Sequence, residues 1–246
     1  FTMQKTLILI PSRLSASRLP NKPLLKINGK SIISQVVEKA EKTRLGKVYV
    51  ATEDKEILKE VKKNGGNAII TNNNHKTGTD RIFECLTKLK NNKIDYVINL
   101  QGDEPNIDIN DLKNLYKLAK KKNSDIATLA SEIKNKNIYK NKSIVKVITN
   151  FKLSNQNFPL AKDFKRTINS KRNVYHHIGV YIYKVKILKK FVKFKQSKNE
   201  LKNKLEQMRA IDNGIKINVA LAVKPSIGVD TIEDYVALKK IMEYKS

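Results

Sequence analysis

The chain of 246 residues carries 50 Lys plus Arg against 23 Asp plus Glu, a formal charge of +27, with 40% hydrophobic residues. That length holds one α/β domain or two small ones, and the apolar share is low but sufficient for a core. The single cysteine, Cys85, excludes a disulfide framework and a Cys-based zinc site, and no apolar run approaches the ~18 residues of a membrane helix.

Phe1-Thr2-Met3-Gln4-Lys5 runs straight into an apolar strand, with no charged leader region, spacer or small-residue cleavage site. No secretory signal is expected, Met3 reads as the natural start, and a reducing cytoplasm is the expected location. Residues 6–11 (TLILIP) form a strand suited to burial on both faces. A helix over 31–43 puts Ile32, Ile33, Val36 and Val37 on one face, followed by a strand at 48–52 and a helix at 54–63 striped by Ile57, Leu58 and Val61. Asn64-Gly65-Gly66-Asn67 closes that helix ahead of a third strand at 68–71. A helix over 79–90 turns Ile82, Phe83, Leu86 and Leu89 inward, and 96–100 (YVINL) is a fourth strand. Helix 111–121 and strand 126–130 complete a βα alternation that predicts a doubly wound, mostly parallel sheet. Beyond it come a strand at 145–149, an irregular polar stretch over 150–173 that reads as a long surface loop, and a strand at 175–184. Helices at 187–194 and 200–213, a strand at 215–223 and a terminal helix at 231–244 follow. One domain over 3–246 with a smaller mixed α/β insertion at about 135–220 is the simplest account.

The charge invites a nucleic-acid reading. Its 43 Lys and 26 Asn are spread over nearly every element, whereas a dedicated binder concentrates charge and interleaves aromatics or arginines. No specific nucleic-acid partner and no membrane are expected. The seven arginines are more informative, because a retained guanidinium supplies a fork geometry that Lys cannot copy.

Ligands of doubly wound sheets bind beyond the carboxyl ends of the strands. The loop after the first strand, Pro11-Ser12-Arg13-Leu14-Ser15-Ala16-Ser17-Arg18-Leu19-Pro20-Asn21-Lys22-Pro23-Leu24, has neither a G-x-G-x-x-G nor a P-loop pattern. Its small residues Ser12 and Ser17 allow a backbone close to a phosphate, and Arg13, Arg18 and Lys22 match a triphosphate's charge; a solvated basic loop is the plain alternative. After the fourth strand, Gln101-Gly102-Asp103-Glu104-Pro105 sets a carboxylate where phosphates would lie. There Asp103 either holds Mg²⁺ or caps a helix, and Asp230 poses the same choice. Gly78-Thr79-Asp80-Arg81 opens a helix, either as an anion or base site or as a simple cap. Of His176 and His177, strand alternation sends one to each face.

The segment 10–24 (IPSRLSASRLPNKPL) resembles the nucleotide loop of the 3-deoxy-manno-octulosonate cytidylyltransferases (CMP-KDO synthetases). Further segments similar to that family follow in the same order: Ala51-Thr52-Glu53-Asp54, Thr77-Gly78-Thr79-Asp80-Arg81, Gln101-Gly102-Asp103-Glu104-Pro105, His177-Ile178-Gly179-Val180-Tyr181, Leu205-Glu206-Gln207-Met208-Arg209 and Gly228-Val229-Asp230-Thr231. The resemblance implies a Rossmann-like (GT-A-like) nucleotidyltransferase that joins CTP to the sugar acid for lipopolysaccharide synthesis. It implies Mg²⁺ on Asp103 and Asp230 and catalysis by Arg13, Arg18, Lys22 and Asp103. Nucleotide contacts would come from Ser12, Arg13, Ser17, Arg18, Lys22, Ala51, Thr52, Gly78, Thr79, Arg81 and Gln101. Sugar contacts would come from Gln101, His177, Tyr181, Glu206 and Gln207, with Arg209 in support, in a homodimer. One departure stands out: counted from the strand at 145, Leu160 falls where the family has an arginine for the sugar carboxylate, with Arg166 as a substitute. A modified acceptor, an 8-amino octulosonate or an acylneuraminate, is the alternative, and a non-enzymatic nucleic-acid binder the remote one.

Overall fold

The computed structural model describes residues 5–15, 18–90, 93–170, 172–226 and 228–244, so Met3 and Ser17 lie outside the described residues. The chain divides into two units, Phe1–Ile109 with Ser226–Ser246, and Asn110–Pro225.

The first unit is built on β1 (Thr6–Ser12), buried at six of its seven positions. β2 (Lys26–Ile27) and β3 (Lys30–Ser31) form a small hairpin whose turn residues Asn28 and Gly29 have φ of 50° and 72°. Positive φ at both positions is what a two-residue turn needs to match strand twist. Ser31 then caps α1 (Ile32–Thr43) by accepting from the Ser34 N–H. β4 (Lys47–Thr52), α2 (Lys55–Lys63), β5 (Ala68–Ile70), α3 (Gly78–Lys88) and β6 (Tyr96–Asn99) continue the alternation. In this unit the strand order is β6-β1-β4-β5 with every ladder parallel, so β1 lies centrally and both its faces are covered. Cys85 is buried in α3, and burial pushes its thiol up to about 12, so it stays an unreactive core residue.

The second unit comprises α4 (Ile109–Lys122), β7 (Ile126–Ser131), β8 (Lys146–Thr149), β9 (Ala161–Lys165), β10 (Val174–Lys184), α5 (Val185–Phe191), α6 (Lys198–Asn203), α7 (Met208–Asp212) and β11 (Ile217–Leu221). β11 pairs parallel with β7, while β7–β10, β10–β8 and β8–β9 are antiparallel. Two sequence expectations are corrected here. The loop expected over 150–173 contains β9, registered on β8 with Val147 opposite Phe164. The helix expected over 200–213 is two short helices, because Lys204 turns left-handed at φ 52° and folds Leu205 into the interior. The break lets Arg209 of α7 grip Glu200 of α6 with two buried hydrogen bonds of 2.8 and 2.5 Å. Lys146 is wholly buried in β8, its ammonium donating to the carbonyls of Asn141, Ile144 and Arg166.

The chain closes with α8 (Ile232–Glu243) in the first unit, started by a capping box of Thr231 and Asp234. Leu238 of α8 packs with Leu19, Ile27, Ile32 and Val229 into a satellite core that ties the loop after β1 to the chain's last segment. Among the described residues no helix is long and apolar enough to cross a membrane.

Candidate active site

At Ser12 the chain leaves the carboxyl edge of the parallel sheet, and the loop that follows folds back on itself. The Leu14 N–H donates to Asp54 Oδ2 at 2.8 Å, and the Leu14 carbonyl accepts from the Asn21 N–H at 3.3 Å. Leu19 is anchored in the satellite core, and Pro23 sits in the 3₁₀ turn at Lys22–Leu24. These restraints set Arg13, Arg18 and Lys22 around a cavity of about 330 Å³.

Opposite them, Gln101, Gly102 and Asp103 follow β6 into the same cavity. A Cβ at Gly102 would meet the Pro11 carbonyl oxygen at 3.1 Å, so the close passage of the two strand ends favours glycine there. The Val229 N–H donates to the Asp103 carbonyl at 2.9 Å, and the Val229 side chain is fully buried in the satellite core. One backbone bond and one buried side chain thus bring Asp230 to Asp103 across most of the sequence. Neither carboxylate caps a helix: Thr231 caps α8, while Asp103 and Asp230 both turn to Lys22.

Lys22 Nζ lies 2.6 Å from Asp103 Oδ2 and 3.2 Å from Asp230 Oδ1, and an Arg18 guanidinium nitrogen lies 2.9 Å from Asp230 Oδ2. Burial alone would depress the Lys22 ammonium, but the two carboxylates overcome it and its pKa is raised. Two carboxylates converging on one ammonium form a donor set that fits Mg²⁺, which is held by one or two carboxylates plus substrate phosphates. Among the described residues no cluster of three or more His, Cys, Asp or Glu side chains could hold a metal.

The other expected nucleotide residues divide into two groups. Ser12 and Gly78 line the cavity, and the buried Ser12 Oγ has no hydrogen-bond partner among the described residues. Arg81 also lines it, but its guanidinium is committed to Glu53, to Thr71 Oγ1 at 2.8 Å and to the Asn72 carbonyl at 3.3 Å. Ala51, Thr52 and Thr79 are buried and are not among the lining residues; Thr52 Oγ1 instead accepts from the Asp54 N–H at 3.1 Å. Sequence reading missed His75 and Lys76, which line the cavity just ahead of the Gly78 motif. His75 Nε2 contacts the Glu84 carboxylate. Burial would raise Glu84, but hydrogen bonds from Lys88, His75 and the Asn72 N–H lower it to about 2. The carboxylate is therefore an acceptor at neutral pH, and Nε2 carries the proton.

Of the expected sugar-side residues, Gln101 lines the cavity of the first unit, and His177, Tyr181, Glu206 and Gln207 belong to the second. His177 is the buried member of the histidine pair, with Nε2 3.0 Å from Thr128 Oγ1 and its ring 5.1 Å from Phe164 and 5.4 Å from Tyr181. Thr128 gives its proton to the Val180 carbonyl at 2.7 Å, so His177 donates from Nε2. Burial, with a smaller push from His176, drives His177 down to about 3, and burial drives His176 down to about 4. Both rings are neutral at pH 7. A bulge in β10 between Ile178 and Tyr181 re-aims the strand at this point. Glu206 and Gln207 sit on the turn between α6 and α7 that the Glu200–Arg209 pair braces. Leu160 lies ahead of β9, its N–H on Asn150 Oδ1 at 2.9 Å, whereas Arg166 directly follows β9. The Arg166 guanidinium donates to the carbonyls of Asn203, Lys142 and Lys204.

A profile of the cytidylyltransferase family matches residues 7–217. The 3-deoxy-manno-octulosonate cytidylyltransferase of Afipia carboxidovorans is 40% identical over 250 residues, covering 98% of each chain. That of Thermodesulfovibrio yellowstonii is 41% identical over 249 residues, covering 96% of this chain and 98% of its own. A solved structure of CMP:2-keto-3-deoxy-manno-octonic acid synthetase complexed with CTP is 34% identical with a TM-score of 0.88, covering 98% of this chain and 99% of that one. UDP-glucose pyrophosphorylase complexed with UDP-glucose, 16% identical with a TM-score of 0.73 and covering 98% of this chain and 99% of its own, shares the fold alone. The Rossmann-like parallel sheet, the ordered motifs and matches over nearly the whole length agree: the chain belongs to the cytidylyltransferase family.

Proposed function

We propose that this enzyme joins CTP to 3-deoxy-D-manno-octulosonate, giving the CMP-sugar and pyrophosphate. One observation carries the reading beyond the names of its relatives: Arg18, Lys22, Asp103 and Asp230 converge in one cavity at the carboxyl edge of a parallel sheet. The sugar's anomeric hydroxyl attacks the α-phosphorus in line, its bond to phosphorus forming as the bond to pyrophosphate breaks and the hydroxyl proton passes to water. Arg13, Arg18 and Lys22 hold the β- and γ-phosphates and offset the charge gathering on the leaving group. The Ser12 hydroxyl and the amides opening α3 give the phosphates and base neutral donors. Such chemistry asks the protein for positioning and electrostatics, so no covalent nucleophile is needed. Asp103 and Asp230 would hold Mg²⁺, which when bound neutralises phosphate charge that repels an incoming alkoxide.

On the sugar side the reading assigns contacts to Gln101, His177, Tyr181, Glu206 and Gln207. His177, held neutral by burial, orients a hydroxyl and brings no charge to a carboxylate. Arg166 at the end of β9 is the candidate for the sugar carboxylate in place of Leu160. Its three carbonyl contacts favour keeping a second acceptor, the 8-amino octulosonate, in view. A homodimeric enzyme of the cytoplasm that feeds lipopolysaccharide synthesis completes the proposal.

The test is pyrophosphate release with Mg²⁺ across CTP, UTP, ATP and GTP, each against octulosonate, its 8-amino analogue and an acylneuraminate. Release with CTP and octulosonate supports the reading. Release confined to another nucleotide or to the acylneuraminate overturns it.

A further inference from the structure

We propose that Asp54 is a positioning residue for nucleotide binding, acting through the backbone of the loop after β1; this rests on the CTP reading above. Asp54 is not among the residues lining the cavity. It stands at the N-cap of α2, yet its side chain makes no capping hydrogen bond to that helix. An N-cap carboxylate ordinarily stabilises its own helix by accepting from an N–H of the first turn, and here that bond is forgone.

Instead, Oδ2 accepts the Leu14 N–H at 2.8 Å, forty residues away in sequence. The Asp54 backbone is fixed from both sides, its N–H on Thr52 Oγ1 at 3.1 Å and its carbonyl accepting from the Leu58 N–H at 3.2 Å. Leu14 is likewise held at both ends, because its carbonyl takes the Asn21 N–H. A continuous line of bonds therefore runs from the end of β4 through Asp54 and Leu14 to Asn21, enclosing the segment that carries Arg18 and adjoining both Arg13 and Lys22. The neighbouring Glu53 performs a matching task by holding Arg81, another residue of the lining. The tetrapeptide 51–54 thus shapes a cavity that Ala51 and Thr52 do not line.

Ordering a cationic loop before the ligand arrives removes part of the entropic cost of binding. The lost bond should therefore appear in CTP affinity and not in the intrinsic rate or the fold. For Asp54→Ala the expected result is a KM for CTP, and a CTP dissociation constant by calorimetry, raised about tenfold. The KM for the sugar acid and kcat at saturation stay within about threefold, and Tm shifts little because α2 loses no capping bond. Asp54→Asn keeps an acceptor oxygen at the same reach and restores CTP binding to within about twofold of wild type. If Asp54→Ala does not fold, Asp54→Ser supplies α2 with a capping hydroxyl but cannot reach Leu14, and it carries the same expectation. An unchanged CTP affinity in the folded Ala or Ser variant overturns the proposal, as does an Asn variant as weak as Ala. If wild type instead uses another nucleotide, the assigned function falls and the same comparison is made with that nucleotide, so the two failures separate.

Discussion

Replacing Lys22 by Met removes the ammonium that touches both site carboxylates while keeping most of the side chain's volume. At the observed 2.6 and 3.2 Å, an effective dielectric of ~20 gives gross attractions of about 6 and about 5 kcal/mol. The lysine side chain is 12% exposed but the carboxylates are 29% and 42% exposed, so solvent screens most of that gain. A net loss of about 1–2 kcal/mol remains, which for a chain of this size lowers Tm by roughly 3–6 °C. With the shared ammonium gone and only Arg18 left on Asp230, the two carboxylates repel each other more and attract a divalent ion more strongly. Thermal unfolding with and without millimolar Mg²⁺ reads both effects. Lys22→Met is expected to melt lower than wild type without metal and to gain more from Mg²⁺, since the ion no longer competes with an ammonium for the same oxygens. A variant that melts with wild type and gains nothing extra from Mg²⁺ would refute the convergence of Asp103 and Asp230.

Asp103→Asn and Asp230→Asn should each cut kcat/KM by at least about a hundredfold while leaving Tm near wild type; near-normal turnover in either removes that residue from the site. Stability should also fall on mild acidification. The unfolded histidines protonate near 6.5, but folded His176 and His177 refuse the proton down to about 4 and about 3. The unfolded state therefore binds more protons below pH 6.5, and by pH 5 each histidine costs about 2 kcal/mol. Urea unfolding at pH 7.5 and pH 5 measures the loss, and His177→Asn should reduce it; a flat profile contradicts the burial of these rings.

Much of this architecture could be read directly from the chain. The apolar run at 6–11 and the βα rhythm after it are local signals, and the parallel sheet of the first unit follows from them. The Asn28-Gly29 hairpin carries a strong turn signal, but its strands of two residues each are too short to show alternation. β9 left little pattern, since Phe164 alone of its five residues is buried. The break at Lys204 had none, for neither glycine nor proline marks that left-handed turn. Spacing could not have paired Asp103 with Asp230; the Val229 backbone bond and its packing against Leu238 do so in three dimensions. The same holds for the bracing acids Glu53 and Asp54 and for the fully buried Lys146. Each is an ordinary charged residue until a distant partner is known.

The most direct test is to locate Mn²⁺ by anomalous scattering in crystals grown with CTP. The account requires a single strong peak within coordination distance of both Asp103 and Asp230, beside a triphosphate contacted by Arg18 and Lys22. Bound nucleotide with no metal at those two carboxylates, or a triphosphate lying away from the loop after β1, would contradict it.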